Sequence, residues 1–140
     1  MEIVVDVNVI LSSLWKRGNS LKVFELNYIF NKLDFIAPEF LMTEFEKHKK
    51  NFFEKSKLSK EEFDEVLEFI FEQITFVSES EFSECLPQAK KILSEHLKDV
   101  QYLALALKVG CPIFSGDKRL KDLVFNSVKV FSPKEMLDKF

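Results

Sequence analysis

Residues 1–10 read Met1-Glu2-Ile3-Val4-Val5-Asp6-Val7-Asn8-Val9-Ile10, or MEIVVDVNVI. Ile3, Val4 and Val5 form a β-branched run with no polar alternation. That is the pattern of a strand buried on both faces inside a parallel sheet. Asp6 closes the run. Aspartate is disfavoured within strands, but it fits the carboxyl end of one, where open α/β sheets place their ligand crevice. Other acids are then expected to arrive at the same edge.

Reading outward from this strand, residues 11–19 look like a polar-tipped loop containing Ser12, Ser13, Lys16, Arg17 and Gly18. Ser20 is placed to cap a helix running to about Lys32, with Leu21, Phe24 and Tyr28 on one face. Residues 33–37 are a second strand. Pro38 suits the first turn of the next helix, on which Leu41, Phe45, His48 and Phe52 make an apolar stripe. Glu44 borders that stripe, and His48 is read as covering it. The basic run KHKKN, residues 47–51, is expected near the helix end, where it complements the dipole. Ser59-x-x-Glu62 is a capping box opening a helix with Phe63, Val66, Leu67, Ile70 and Ile74 at helical spacing. Residues 75–78 make a third strand. Residues 79–97 read as helical in two pieces, broken near Pro87, with His96 exposed.

Asp99 stands at the start of a broadly apolar helix carrying Val100, Leu103, Ala104 and Leu107, which Gly110 and Pro112 stop. Ile113 and Phe114 make a fourth strand, ending in Ser115-Gly116-Asp117, and a helical turn follows through Lys118 to Leu123. Residues 128–131 are the last strand. A capping box at Ser132-x-x-Glu135, with Pro133 in first position, opens a terminal helix. The alternation of strands and helices means a parallel sheet with helices on both faces, an α/β fold.

Composition narrows the function classes. With 140 residues, the chain is about one domain and can bury a core without a staple. Three glycines and four prolines keep loops short, and sixteen phenylalanines make the core aromatic. The net charge of −3 argues against holding nucleic acid by a broad basic field, but suits a site built from acids. Cys85 and Cys111 lack paired spacing, so they read as buried free thiols rather than zinc ligands. The N-terminus has no basic region or cleavage site, and no segment approaches a membrane-spanning length. The expected location is the cytoplasm.

Two strands end in aspartate, at Asp6 and Asp117. Asp99 precedes the helix that leads into the fourth strand, and Glu44 lies in the early turns of the helix after the second. Four carboxylates from separate segments can therefore meet at the carboxyl edge. Such a cluster repels itself unless protons or a cation neutralise it. Mg²⁺ and Mn²⁺ favour oxygen ligands, and carboxylate-held metals are used to hydrolyse phosphodiesters. Each acid also has an ordinary role: Asp99 and Asp117 as helix caps, Glu44 as a surface residue. Asn8 is either a turn residue or a support for Asp6. Lys16, Arg17, Lys118 and Arg119 are either solvated or phosphate contacts.

These residues resemble the PIN-domain ribonucleases. The resemblance spans the chain and rests on IVVDVNVI (3–10), APEFLMTEF (37–45), DVQYLALAL (99–107) and IFSGDKRL (113–120). It implies a three-layer α/β/α sandwich with a five-stranded parallel sheet in the order 3-2-1-4-5. The family's acids fall on Asp6, Glu44, Asp99 and Asp117. Ser115 matches the small hydroxyl residue two places before the last acid, and Asn8 the polar residue two places after the first. Val7 stands where many members have Thr or Ser.

The implied activity is a Mg²⁺- or Mn²⁺-dependent endoribonuclease, with Lys118 and Arg119 near the RNA backbone. Many small members are toxins of the VapC type, dimeric and held inactive by an antitoxin. Two readings compete with this one. A haloacid-dehalogenase-like phosphatase would use Asp6 as nucleophile, but Asn8 stands where that chemistry needs a second acid. A non-catalytic RNA- or partner-binding module would keep the acids for structure.

Overall fold

The computed structural model describes residues 1–15 and 18–140. Lys16 and Arg17 lie outside them, so the two readings of these cations have no counterpart below. Five strands run parallel: β1 (Glu2–Val5), β2 (Asp34–Pro38), β3 (Ile74–Val77), β4 (Ile113–Phe114) and β5 (Val130–Phe131), in the order β3-β2-β1-β4-β5. The expected α/β architecture and strand order are both present. β1 is central, and Ile3, Val4 and Val5 have no solvent exposure.

Eight α-helices flank the sheet among the described residues. They are α1 (Val7–Trp15), α2 (Asn19–Phe30), α3 (Phe40–Ser56), α4 (Lys60–Phe71), α5 (Leu86–Leu93), α6 (Val100–Val109), α7 (Lys118–Val124) and α8 (Pro133–Leu137). Right-handed crossovers put α1 to α4 on one face and α5 to α7 on the other. Consistent with this, α2 packs on α1 and α8, and α5 packs on α6 and α7. No helix among the described residues is long and apolar enough to cross a membrane.

Several boundaries differ from the sequence reading, each for a local reason. The expected loop at residues 11–19 is mostly the end of α1. Ser12 and Ser13 donate to the Val9 carbonyl at 3.0 and 2.8 Å, which satisfies their hydroxyls inside a helix. Ser20 does not cap α2. It is buried within that helix, its Oγ 2.7 Å from Ser12 Oγ, and Gly18 occupies the cap position.

Pro38 ends β2 instead of opening a helix. It pairs with Val77, and the next residue supplies the ladder bond, Glu39 N–H to Val77 O at 3.0 Å. The KHKKN run lies mid-helix, because α3 continues through Phe52 and Phe53, whose rings pack on Phe45 and Phe63. Residues 79–85 form two 3₁₀ turns rather than a helix, and Pro87 sits in the first turn of α5, which it opens rather than breaks. β5 starts at Val130, two residues later than expected. Cys85 and Cys111 are free thiols but only partly buried.

The capping boxes at Ser59 and Ser132 form as read. Gly110 ends α6 in the left-handed region, with φ 74°, and its N–H bonds Ala106 O at 2.8 Å. Nothing crowds its Cβ position, so only backbone strain opposes a side chain there. Gly110→Ala is expected to destabilise the fold by roughly 1–2 kcal/mol, measured as a lowered urea midpoint with unchanged slope.

Candidate active site at the carboxyl edge of the sheet

The site begins where β1 stops. Asp6 N–H bonds Phe114 O at 3.1 Å and Ser115 N–H bonds Phe131 O at 3.0 Å, so the ladder carries both residues to the same edge. Asp6 is 2% exposed. Its Oδ2 accepts a 2.7 Å bond from Ser115 Oγ–H and a 3.4 Å bond from the Asn8 amide, and its Oδ1 faces Asn8 N–H at 3.4 Å. Asp6 thus ends a strand and receives the first turn of α1. Ser115 Oγ also accepts Asp117 N–H at 3.1 Å, which ties the last acid to the first through one hydroxyl.

Asp117 caps α7. Its Oδ1 accepts from Arg119 N–H at 2.9 Å and Leu120 N–H at 3.3 Å. Its Oδ2 lies 3.6 Å from the Arg119 guanidinium, which is also 3.7 Å from Asp99 Oδ2. Asp99 precedes α6, but its side chain makes no capping bond there. The expected cap is instead a buried carboxylate turned to Arg119. Glu44, half-buried on α3, accepts a 2.8 Å bond from the Tyr102 hydroxyl.

All four carboxylates line one cavity of about 650 Å³, together with a fifth, Glu95, which the sequence did not single out, and with Asn8, His48, His96, Lys98, Tyr102 and Arg119 among others. His48 is exposed and borders this space, with its ring 5.8 Å from that of Phe52 on the apolar stripe, and His96 is half-buried rather than exposed. Lys118 is exposed and does not line the cavity, so the cations that face the acids are Arg119 and Lys98. Tyr102, Lys98 and Trp15 were not singled out by sequence. Tyr102 reads as one more ring on an apolar helix, although its i+3 spacing from Asp99 puts both on one side of α6.

Electrostatics reflect the crowding. Burial pushes Asp6 from its ordinary 3.8 to about 6, with Asp99 and Asp117 adding to the rise and the Ser115 and Asn8 bonds opposing it. Burial also raises Glu44, against the Tyr102 bond and Lys98. Asp99 is raised by burial and then by Asp117, against Arg119, His96 and Lys98. Excess negative charge with mostly carboxylate oxygen donors is the chemistry of a hard divalent cation site. The spacing is wider than coordination: among the described residues, no three acid, His or Cys groups stand close enough to hold an ion together. The donors fit such a cation in kind, with Arg119 standing between two of them.

A wound parallel sheet with acids at its carboxyl edge defines a class of α/β proteins whose chemistry lies outside the strand ends. Within that class, this chain belongs to the PIN-domain family, whose model matches residues 4–137. Members of that family are in general nucleases. A chain of VapBC2 from Rickettsia felis, solved bound to a DNA fragment from the promoter, has a similar fold. The TM-score is 0.70 over 94% of this chain and 98% of that one, at 9% identity. No curated protein matches in sequence.

The raised Asp6 carboxyl has a consequence for stability. The folded protein holds this proton more tightly than the unfolded chain does, so stability falls as pH rises through about 4 to 6. Above that window the charged form costs about 3 kcal/mol. Asp6→Asn is expected to stabilise the metal-free protein at pH 7.5 by up to about that amount, and to lose the advantage below pH 4. Urea unfolding in EDTA at the two pH values measures this.

Proposed function

We propose that this chain is a divalent-metal-dependent endoribonuclease, with Mg²⁺ or Mn²⁺ as its cation and Asp6, Glu44, Asp99 and Asp117 as its acids. The observation that carries the reading is four carboxylates from four separate segments around one cavity, with Arg119 the one cation at ion-pair distance among the described residues. Asp6, Asp99 and Asp117 would hold the cation, with Glu44 a further oxygen donor. When bound, the cation supplies acidification of water and neutralisation of charge on the phosphate.

The chain's own groups do the remaining work. Ser115 and Asn8 fix the Asp6 oxygens. Tyr102 holds one Glu44 oxygen, so the other can orient the attacking water. Arg119 and Lys98 sit where a phosphodiester would need positive charge. In-line attack by water on phosphorus then leaves a 3′-hydroxyl and a 5′-phosphate.

One observation favours the alternative of a non-catalytic RNA- or partner-binding module. Arg119 already neutralises part of the acid pair Asp99 and Asp117, as an arginine kept for structure would.

Under the main reading the chain acts in the cytoplasm as the toxin of a toxin–antitoxin pair, with an antitoxin and a second copy as protein partners. Support comes from the fold shared with the VapBC2 assembly. Exposed Tyr28, Ile29 and Phe30 at the end of α2 add apolar surface for a partner to cover.

Asp6→Asn and Asp117→Asn are each expected to lower kcat/KM on RNA at least about 100-fold, with the circular dichroism spectrum kept. EDTA should stop cleavage and Mn²⁺ restore it. Full activity in the double variant, or in EDTA, overturns the proposal.

A further inference from the structure

Three consecutive large apolar residues at the end of α2 stand in solvent: Tyr28 is 68% exposed, Ile29 69% and Phe30 55%. The chain passes from them into the first residues of β2, so they lie at the amino edge of the sheet, away from the acids. The Tyr28 ring is 5.3 Å from that of Phe69 on α4, and the Phe30 ring is 6.5 Å from that of Phe140, past α8. An apolar ridge therefore runs from α4 across the end of α2 to the end of the chain. Exposed apolar surface of this kind, rimmed by polar groups, marks an interaction site.

The charge beside the ridge defines the partner. Glu61, Glu65 and Glu68 on α4, with Glu72 at its C-cap, recur at i, i+4, i+7 and i+11, which puts them on one side of the helix. All four are exposed, and among the described residues none is in an ion pair. The pair on this helix joins Lys60 to Asp64 at 3.4 Å. Like charges at that spacing repel. Glu68 and Glu72 also stand at the carbonyl end of α4, where the helix dipole is already negative, and neither α2 nor α4 has a basic residue in its last turn. Glu72 and Tyr28 line the same small cavity, of about 270 Å³, so the row and the ridge meet.

We infer that this edge docks a basic amphipathic segment of another protein, with apolar side chains on Tyr28, Ile29 and Phe30 and Lys or Arg side chains along the α4 row. The inference does not rest on the nuclease reading, since neither the ridge nor the row lines the acidic cavity. Covering the ridge removes apolar surface from water, and the incoming cations relieve both the repulsion within the row and the two uncompensated helix ends. Other occupants match the charge less well. An anionic bilayer meets the carboxylates with like charge. A second copy brings Lys32 and Lys139 against four carboxylates, and the Lys139 ammonium already lies 4.0 Å from the centroid of the Phe131 ring.

The test titrates the full chain against a fluorescent synthetic helix of about four turns, with Leu on one face and Lys at the spacing of the row. Its affinity should fall as salt rises, and the Leu/Glu counterpart should not bind. Ile29→Ser with Phe30→Ser, and separately Glu65→Gln with Glu68→Gln, should each weaken binding about 10-fold or more. The thermal midpoint should be kept, because all four side chains are exposed. Asp99→Asn with Asp117→Asn, at the opposite edge, should leave the affinity unchanged. Native affinity in the ridge variant or the row variant, or loss only in the Asp99 and Asp117 variant, overturns the inference. So does a native dimer that becomes a monomer in the ridge variant by sedimentation, which assigns the ridge to a second copy. Flotation with phosphatidylglycerol vesicles that the ridge variant loses assigns it to a bilayer and equally overturns the inference.

Discussion

The hydrogen bond between Ser115 and Asp6 is the constraint on which the rest of the site depends. It joins the ends of two adjacent strands, β1 and β4, at a point sealed from water. A carboxylate carried there by three fully buried β-branched residues loses nearly all its hydration. The Ser115 hydroxyl and the two Asn8 donors return part of that loss, yet burial still outweighs them. Because Ser115 Oγ also accepts the Asp117 N–H, the same hydroxyl sets where the last acid stands. Its single proton goes to Asp6, and its lone pair takes the backbone of the next turn.

The four acids are not equivalent, and their partners divide the work among them. Asp6 is enclosed and ordered by neutral donors. Glu44 has one oxygen tied to Tyr102 and is only half-buried. Asp99 and Asp117 share Arg119. For Asp117 the structural and functional roles are compatible rather than opposed. One oxygen caps α7 through two backbone N–H groups, while the other faces the guanidinium. Capping fixes the carboxylate through one oxygen and leaves the other beside Arg119 at the cavity wall.

How much of this was legible in the sequence follows from which forces are local. Unbroken apolar β-branched runs have one stable home, so β1 and its neighbours could be read, and their alternation with helices set the topology. The capping boxes at Ser59 and Ser132 are likewise self-contained. Failures came where tertiary packing overrode a local signal. Ser12 and Ser13 look like loop residues until their hydroxyls find the Val9 carbonyl. Pro38 looks like a helix start until the register with Val77 leaves its missing N–H without consequence. In the site, Asp6 was visible because a carboxylate closing a buried strand conflicts with burial, whereas Glu44 and Asp99 stood out only by their place near the same edge and by the family resemblance. Tyr102 was not visible, because nothing in the run YLALAL marks its hydroxyl as facing Glu44. Lys98 and His96 were hidden in a turn whose direction no pattern encodes.

The correction at α1 matters most for how the site is used. Had residues 11–15 been a loop, the indole of Trp15 would have had no fixed relation to the acids. As the end of a helix that starts directly after Asp6, it is carried roughly 13 Å along a rigid axis and braced there by Phe52. The hydroxyl bonds of Ser12 and Ser13 to the Val9 carbonyl thus turn what reads as a loop into a fixed helical wall between Asp6 and Trp15.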